Sequence, residues 1–167
     1  MGAAMATGVA LTLGGTAPAI ASDMGTQSCP VDYGVLITSH SGYFLPASGQ
    51  SFKDGPGGTM TVSVTKASTI TYTLSTSLEV SASYLFAAAK AQVSGSVASS
   101  TAVTVGHTYS HNIGSKKYGH MQYGSSGYKV GWESNKTNPN CTTTTLARGT
   151  AYLPVNSVGW KYWETSS

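Results

Sequence analysis

Charge is what this chain has least of. Only 9% of its 167 residues are Asp, Glu, Lys or Arg, six acids against nine bases for a formal net charge of +3, whereas an ordinary soluble domain carries roughly a quarter. The bases are scattered and only Lys116-Lys117 are adjacent, so there is no basic stripe and no nucleic-acid partner is expected. The nucleophile-elbow pattern G-x-S-x-G is absent, which removes the commonest signature of a serine hydrolase. The acids Asp23, Asp32, Asp54, Glu79, Glu133 and Glu164 show no spacing that selects a glycosidase pair. The Gly-rich run 54–58 lacks the Lys-Ser/Thr ending and the following helix of a phosphate loop. His107 and His111 would share a face only on a helix; their surroundings read as strand, where four residues span about 13 Å, too far to hold one metal ion. No catalytic residue, metal site or cofactor is therefore expected, and the chain reads as a non-enzyme.

Ser, Thr, Gly and Tyr take the place of the missing charges, a composition suited to secreted β proteins. Residues 3–21 are small, apolar and uncharged and end Ala17-Pro18-Ala19-Ile20-Ala21 before Ser22, the pattern of a secretory signal with an A-x-A cleavage site. A membrane anchor is the competing reading, but Gly, Thr and Pro dilute the run below the roughly 20 strongly apolar residues needed to span a bilayer. No Lys or Arg precedes Lys53, so the basic opening of such a signal is expected upstream of Met1. Export to an extracellular compartment changes how cysteine is read: an even count predicts a Cys29–Cys141 disulfide over the alternative of two free thiols. The expected domains are a signal peptide at 1–21, an extended arm at 22–34 and a single β-rich domain at 35–167.

The strongest pattern runs over 70–113, which holds only two charged residues, Glu79 and Lys90. Apolar residues hold the even positions Ile70, Tyr72, Leu74, Leu78 and Val80, then the odd positions Val93, Val97, Val103, Val105 and Tyr109, with Ser and Thr between them. Side chains alternate across a strand, so the stretch predicts an all-β fold: an elongated antiparallel sheet with a long Ser/Thr-rich hairpin that reverses near residue 90. Ala87-Ala88-Ala89 interrupts the alternation and favours a short helix near 84–92. Met60, Val62 and Val64 alternate with Thr61, Ser63 and Thr65 as a further strand, while 40–58 is rich in turn residues. Gly124-Ser125-Ser126-Gly127 reads as a four-residue loop between strands at 120–123 and 128–132, 134–140 as a loop, and 142–145 and 150–153 as short strands.

Aromatic residues gather in the C-terminal third. Trp160 and Tyr162 fall on one strand face and Trp163 on the other; all three are candidate partner-contact residues, because Tyr and Trp give large contact area with few rotors to freeze. The competing reading places them in a core short of Leu and Ile.

The string 104–113, followed by Lys117-Tyr118-Gly119-His120-Met121-Gln122-Tyr123-Gly124 and Tyr128-Lys129-Val130, resembles a family of small secreted actinobacterial β proteins similar to the adaptor subunit of antibacterial umbrella toxin particles. The resemblance covers roughly 29–163. It implies a connector without chemistry of its own, joining a lectin-like, trypsin-fold subunit to a large polymorphic toxin subunit. It also implies that the arm residues Ser22, Asp23, Met24, Gly25, Thr26, Gln27 and Ser28, together with sheet edges, make partner contacts by strand addition or groove insertion. Two other functions remain open. The alternating arms are long enough for an aerolysin-type β-pore, whose strands need about 9 to 11 residues, although Thr76, Ser99 and Thr101 interrupt the apolar face; only that alternative implies a membrane partner. A sugar-binding module using the C-terminal aromatics is the third.

Overall fold

The structure, a computed structural model, describes residues 28–78 and 80–166. The predicted signal segment and the arm residues Ser22, Asp23, Met24, Gly25, Thr26 and Gln27 lie outside the described residues. The chain is all-β apart from one helix, in the order β1 (Asp32–Asp54), β2 (Gly58–Ser63), β3 (Ser68–Thr71), β4 (Thr73–Leu74), α1 (Ala82–Gln92), β5 (Ser100–Val103), β6 (Thr108–Ile113), β7 (Tyr118–Thr137) and β8 (Thr143–Thr165). Three of these strands, of 23, 20 and 23 residues, make one long antiparallel ribbon in the order β1-β7-β8, with β4 added at the outer edge of β8. At one end the Cys29–Cys141 disulfide joins the approach to β1 to the turn between β7 and β8, and the Cys29 amide donates to the Pro139 carbonyl at 3.0 Å. We call this the cysteine half and the other the terminal half.

The pairing register shows which side chains share a face of the ribbon. His120↔Trp163 and Lys53↔His120 put one set on the back, while Met121↔Tyr162 and Phe52↔Met121 put the alternate set on the front. In the terminal half the front is buried: Met121 and Tyr123 are 0% and 2% exposed and pack under the pairs β2/β6 and β3/β5, with Met60, Val62, Val64, Ile70, Val103 and Ile113. In the cysteine half the back is buried instead: Val130, Trp132, Ala151 and Leu153 pack against Leu85 and Ala89 of α1. The ribbon is thus covered on opposite faces at its two ends. β7 changes its buried parity from odd to even between Gly127 and Val130, although its register with β1 runs unbroken from Gly124 to Gly131.

The crossover lies at Gly124-Ser125-Ser126-Gly127. Both neighbours bulge there, β1 at 47–50 and β8 at 155–157, as the register shifts show. A Cβ on Gly124 would collide with the Leu45 carbonyl, and one on Gly127 with the Leu153 carbonyl and the Leu45 side chain; glycine is needed because backbone approaches too closely for a side chain. This corrects the sequence expectation: the four residues are interior to a 20-residue strand. The turn-rich stretch 40–58 likewise lies mostly in β1, Asp32, Tyr33 and Gly34 of the expected arm begin that strand, and the two short strands after residue 142 are one, β8.

The stretch 70–113 differs from the expected pair of long arms. Among the described residues it pairs with itself where Ile70 and Thr71 of β3 meet Thr101 and Ser100 of β5 and where the Tyr72 amide donates to the Ser99 carbonyl at 3.1 Å, and β6 pairs with β2. The arms hook over the outer edge of β8. On the outward pass Thr73 and Leu74 pair with Tyr152 and Ala151, and the Ser75 amide donates to the Thr150 carbonyl at 2.9 Å. On the return Ala98 donates to the Pro154 carbonyl at 2.8 Å, Val97 bridges Val155, and the Thr101 hydroxyl donates to the Val155 carbonyl at 2.9 Å. The tip is the expected helix. Ser81 caps it, its hydroxyl accepting from the Ser83 amide at 3.3 Å; Lys90 sits favourably in its last turn. Leu85 and Ala89, one turn apart, are fully buried against the ribbon.

Candidate functional site

Covering opposite faces at opposite ends leaves two areas of the ribbon bare of other described residues: the front of the cysteine half and the back of the terminal half. Their chemistry differs. The front area holds Leu36 at 49% exposure and Tyr43 at 44%, beside Ser39, Ser41 and Thr150. Tyr43 packs on Tyr152 with ring centroids 4.8 Å apart. Next to this pair a groove of about 340 Å³ runs between β1 and β3–β4, lined by Tyr43, Leu45, Pro46, Ser48, Thr69, Ile70, Thr71, Thr73 and Tyr152. The front area carries one ion pair and one further cation: Arg148 pairs with Glu133 at 3.6 Å, an exposed pair of small energetic weight, and Lys129 lies 5.9 Å from the Tyr152 ring.

The back area is built from cations and rings. The Lys53 ammonium stands 4.7 Å from the Tyr118 ring centroid; the Lys161 ammonium lies 5.6 Å from Phe44 and 5.8 Å from Trp163. His120 stacks on Trp163 at 5.2 Å and 10° and shares a 2.9 Å hydrogen bond with the Thr165 hydroxyl, and the Gln122 amide donates to Ser51 at 2.9 Å.

No family model matches the chain, and no curated protein matches it.

Of the sequence candidates, Trp160 and Tyr162 face the front, half-buried among the core residues, whereas Trp163 faces the bare back. The core reading therefore holds for the first two. Trp160 packs on Tyr123 at 4.9 Å and on Phe52 at 6.0 Å. Ser28 is exposed beside the disulfide, far along the ribbon from Trp163, so these two residues do not form one site. His107 stacks on Tyr123 and His111 on Tyr162, at 5.5 and 3.8 Å. Among the described residues no group of three or more His, Cys, Asp or Glu is placed to hold a metal ion. Nor is any described helix long and apolar enough to cross a membrane.

One polar joint closes the terminal half. Glu164 accepts from the Tyr162 hydroxyl at 2.7 Å and from the Gly114 amide at 3.0 Å, tying the β6–β7 turn to the end of β8. The Tyr162 bond first, then the Gly114 amide, with lesser help from His111 and Lys117, holds the Glu164 carboxyl below its ordinary value. Desolvation first, then the Glu164 carboxylate, pushes the Tyr162 hydroxyl up to about 12.

Sequence reasoning missed Phe44, Lys53, Tyr118 and Lys161 as a group. They are brought together only by the β1–β7–β8 register, and their one local signal is the recurrence of Lys near Tyr or Trp.

Proposed function

We propose that this protein is a secreted, non-catalytic adaptor that links two different subunits of a multi-protein antibacterial toxin particle. The observation that carries the reading is the pair of bare areas on opposite faces and opposite ends of one disulfide-pinned ribbon, one apolar and hydroxyl-rich, the other cationic. Two such areas on a stiff three-stranded ribbon suit simultaneous contact with two unlike partners, each engaging its own side. The disulfide suits an oxidising compartment, and the resemblance in 104–130 supplies the class of partners: a lectin-like, trypsin-fold subunit and a large toxin subunit. The arm 22–28 would add an extended contact at the cysteine end.

The test uses the purified mature chain as bait in its native secretome, with dye-loaded liposomes in parallel. Stable recovery of two distinct, larger secreted proteins is the expected result, and removing the arm ahead of Cys29 should lose one of them. Recovery of neither, or dye release at low protein concentration, overturns the adaptor reading; dye release would favour a pore formed by the 70–113 segment instead.

A further inference from the structure

The back area of the terminal half holds two ammonium groups against aromatic rings, one of them closer than any other such contact among the described residues. Lys53 and Lys161 lie against Tyr118, Phe44 and Trp163, 4.7 to 5.8 Å from the ring centroids. Their nearest acidic neighbours in sequence point away, because Asp54 and Glu164 both pair with Gly119 on the front-facing register, and Glu164 is taken up by Tyr162 and Gly114. A ring orients an ammonium without neutralising it. A carboxylate partner would cancel the charge instead, as Glu133 does for Arg148 in the cysteine half. The result is a pair of positioned cations with no carboxylate partner among the described residues, with His120 between them and Lys116 and Lys117 in the adjoining turn.

Three adjacent strands about 4.8 Å apart, each offering some six residues, form a platform about 20 Å long, the reach of a short extended peptide. A lipid surface fits poorly, because the exposed large apolar side chains among the described residues, such as Val31, Leu36, Tyr43 and Tyr84, lie elsewhere. Sugar stacking fits poorly too, since the rings here are already engaged by ammonium or imidazole groups.

We infer that this area docks an acidic, extended segment of a partner protein, with Asp or Glu carboxylates seated on Lys53 and Lys161 and the Trp163–His120 stack beneath. The inference rests on the adaptor reading and assigns the acidic partner to the terminal end. Charge complementarity selects that partner and makes the contact dependent on salt.

The experiment measures binding of a fluorescein-labelled deca-glutamate peptide to the mature chain by fluorescence anisotropy, with a deca-glutamine peptide, phosphatidylglycerol vesicles and polygalacturonate as comparison ligands. Binding to deca-glutamate alone, weakening about tenfold from low to high salt and by at least about tenfold in K53E/K161E, is the expected result. K53R/K161R should retain it. The control K129E/K136E makes the same change in net charge away from this area and should bind nearly as wild type. Equal losses in the two charge-reversed proteins would reduce the effect to net charge and overturn the inference, as would undiminished binding by K53E/K161E. Stronger binding to vesicles or polygalacturonate would transfer the area to a lipid or a glycan and also overturn it. The adaptor reading is separated from this one by the secretome capture. If wild type and K53E/K161E recover the same two partners, the docking inference fails and the adaptor stands; if wild type binds deca-glutamate but recovers no partner, the adaptor fails and the acidic site stands.

Discussion

The stretches 70–113 and 118–137 invert what their sequences suggest. The first has the cleanest apolar/hydroxyl alternation in the chain, yet its strands are two to six residues long with a helix between them. The second, broken by Gly119, Gly124, Gly127 and Gly131, forms a continuous 20-residue strand at the centre of the ribbon. Alternation records which side of a chain is buried, not how far a strand runs. The hook keeps one side inward as it crosses the edge of β8, so its period survives the bend. β7 is buried on the front in one half and on the back in the other, so its two patterns are out of phase.

The largest effect should come from breaking the place where that phase changes. In Gly127→Val the new side chain meets backbone on one side and Leu45 on the other, and overpacking at a site that cannot relax costs about 3 kcal/mol or more; urea denaturation should show a chain that is unfolded or close to it. A well-folded Gly127→Val protein would mean that the bulges at 47–50 and 155–157 can absorb a side chain.

Removing the disulfide in a Cys29→Ser/Cys141→Ser chain tests how far the long ribbon depends on its pinned end. The enclosed loop is 112 residues, worth about 4 to 5 kcal/mol in the chain-entropy model, and the midpoint of denaturation should fall accordingly.

Leu85→Ala addresses the hook alone. Its side chain is fully buried under the cysteine half, and truncation there should cost about 2 to 5 kcal/mol. Amide exchange should quicken first in 82–98, with β1 and β7 slower to respond. Uniform loss of protection would show that hook and ribbon unfold as one unit.

The smallest effect is the pH dependence of the terminal joint. The Glu164 carboxyl titrates below its ordinary 4.5 in the folded chain, so its contribution is present above that value and is lost as pH falls through the folded pKa. Glu164→Gln should flatten this part of the acid limb of a stability profile. It should also let the Tyr162 hydroxyl, now near 12, ionise closer to 10.0 in an ultraviolet titration, and an unchanged Tyr162 curve would show that burial alone sets it.

Much of the fold was legible because it depends on short-range chemistry. The alternation of Met60, Val62 and Val64, the alanines that close into α1, and the two cysteines each state a local preference that the structure keeps. The bare areas were not legible. Trp163 could be placed opposite Trp160 from strand period alone, but which of the two faced the core depended on β2 and β6 covering the front, a contact between residues about 50 positions apart.

The sequence by itself determined an almost uncharged, all-β chain with a cysteine pair and a helical interruption near 84–92, because composition, period and helix propensity act within a few residues. The tertiary structure alone decided that the alternating segment hooks over β8, that the ribbon is covered on opposite faces at its two ends, and that Lys53 and Lys161 share a platform with Trp163. Those outcomes follow from register and edge pairing between distant strands. No local pattern encodes which face of a long ribbon a distant hairpin will cover.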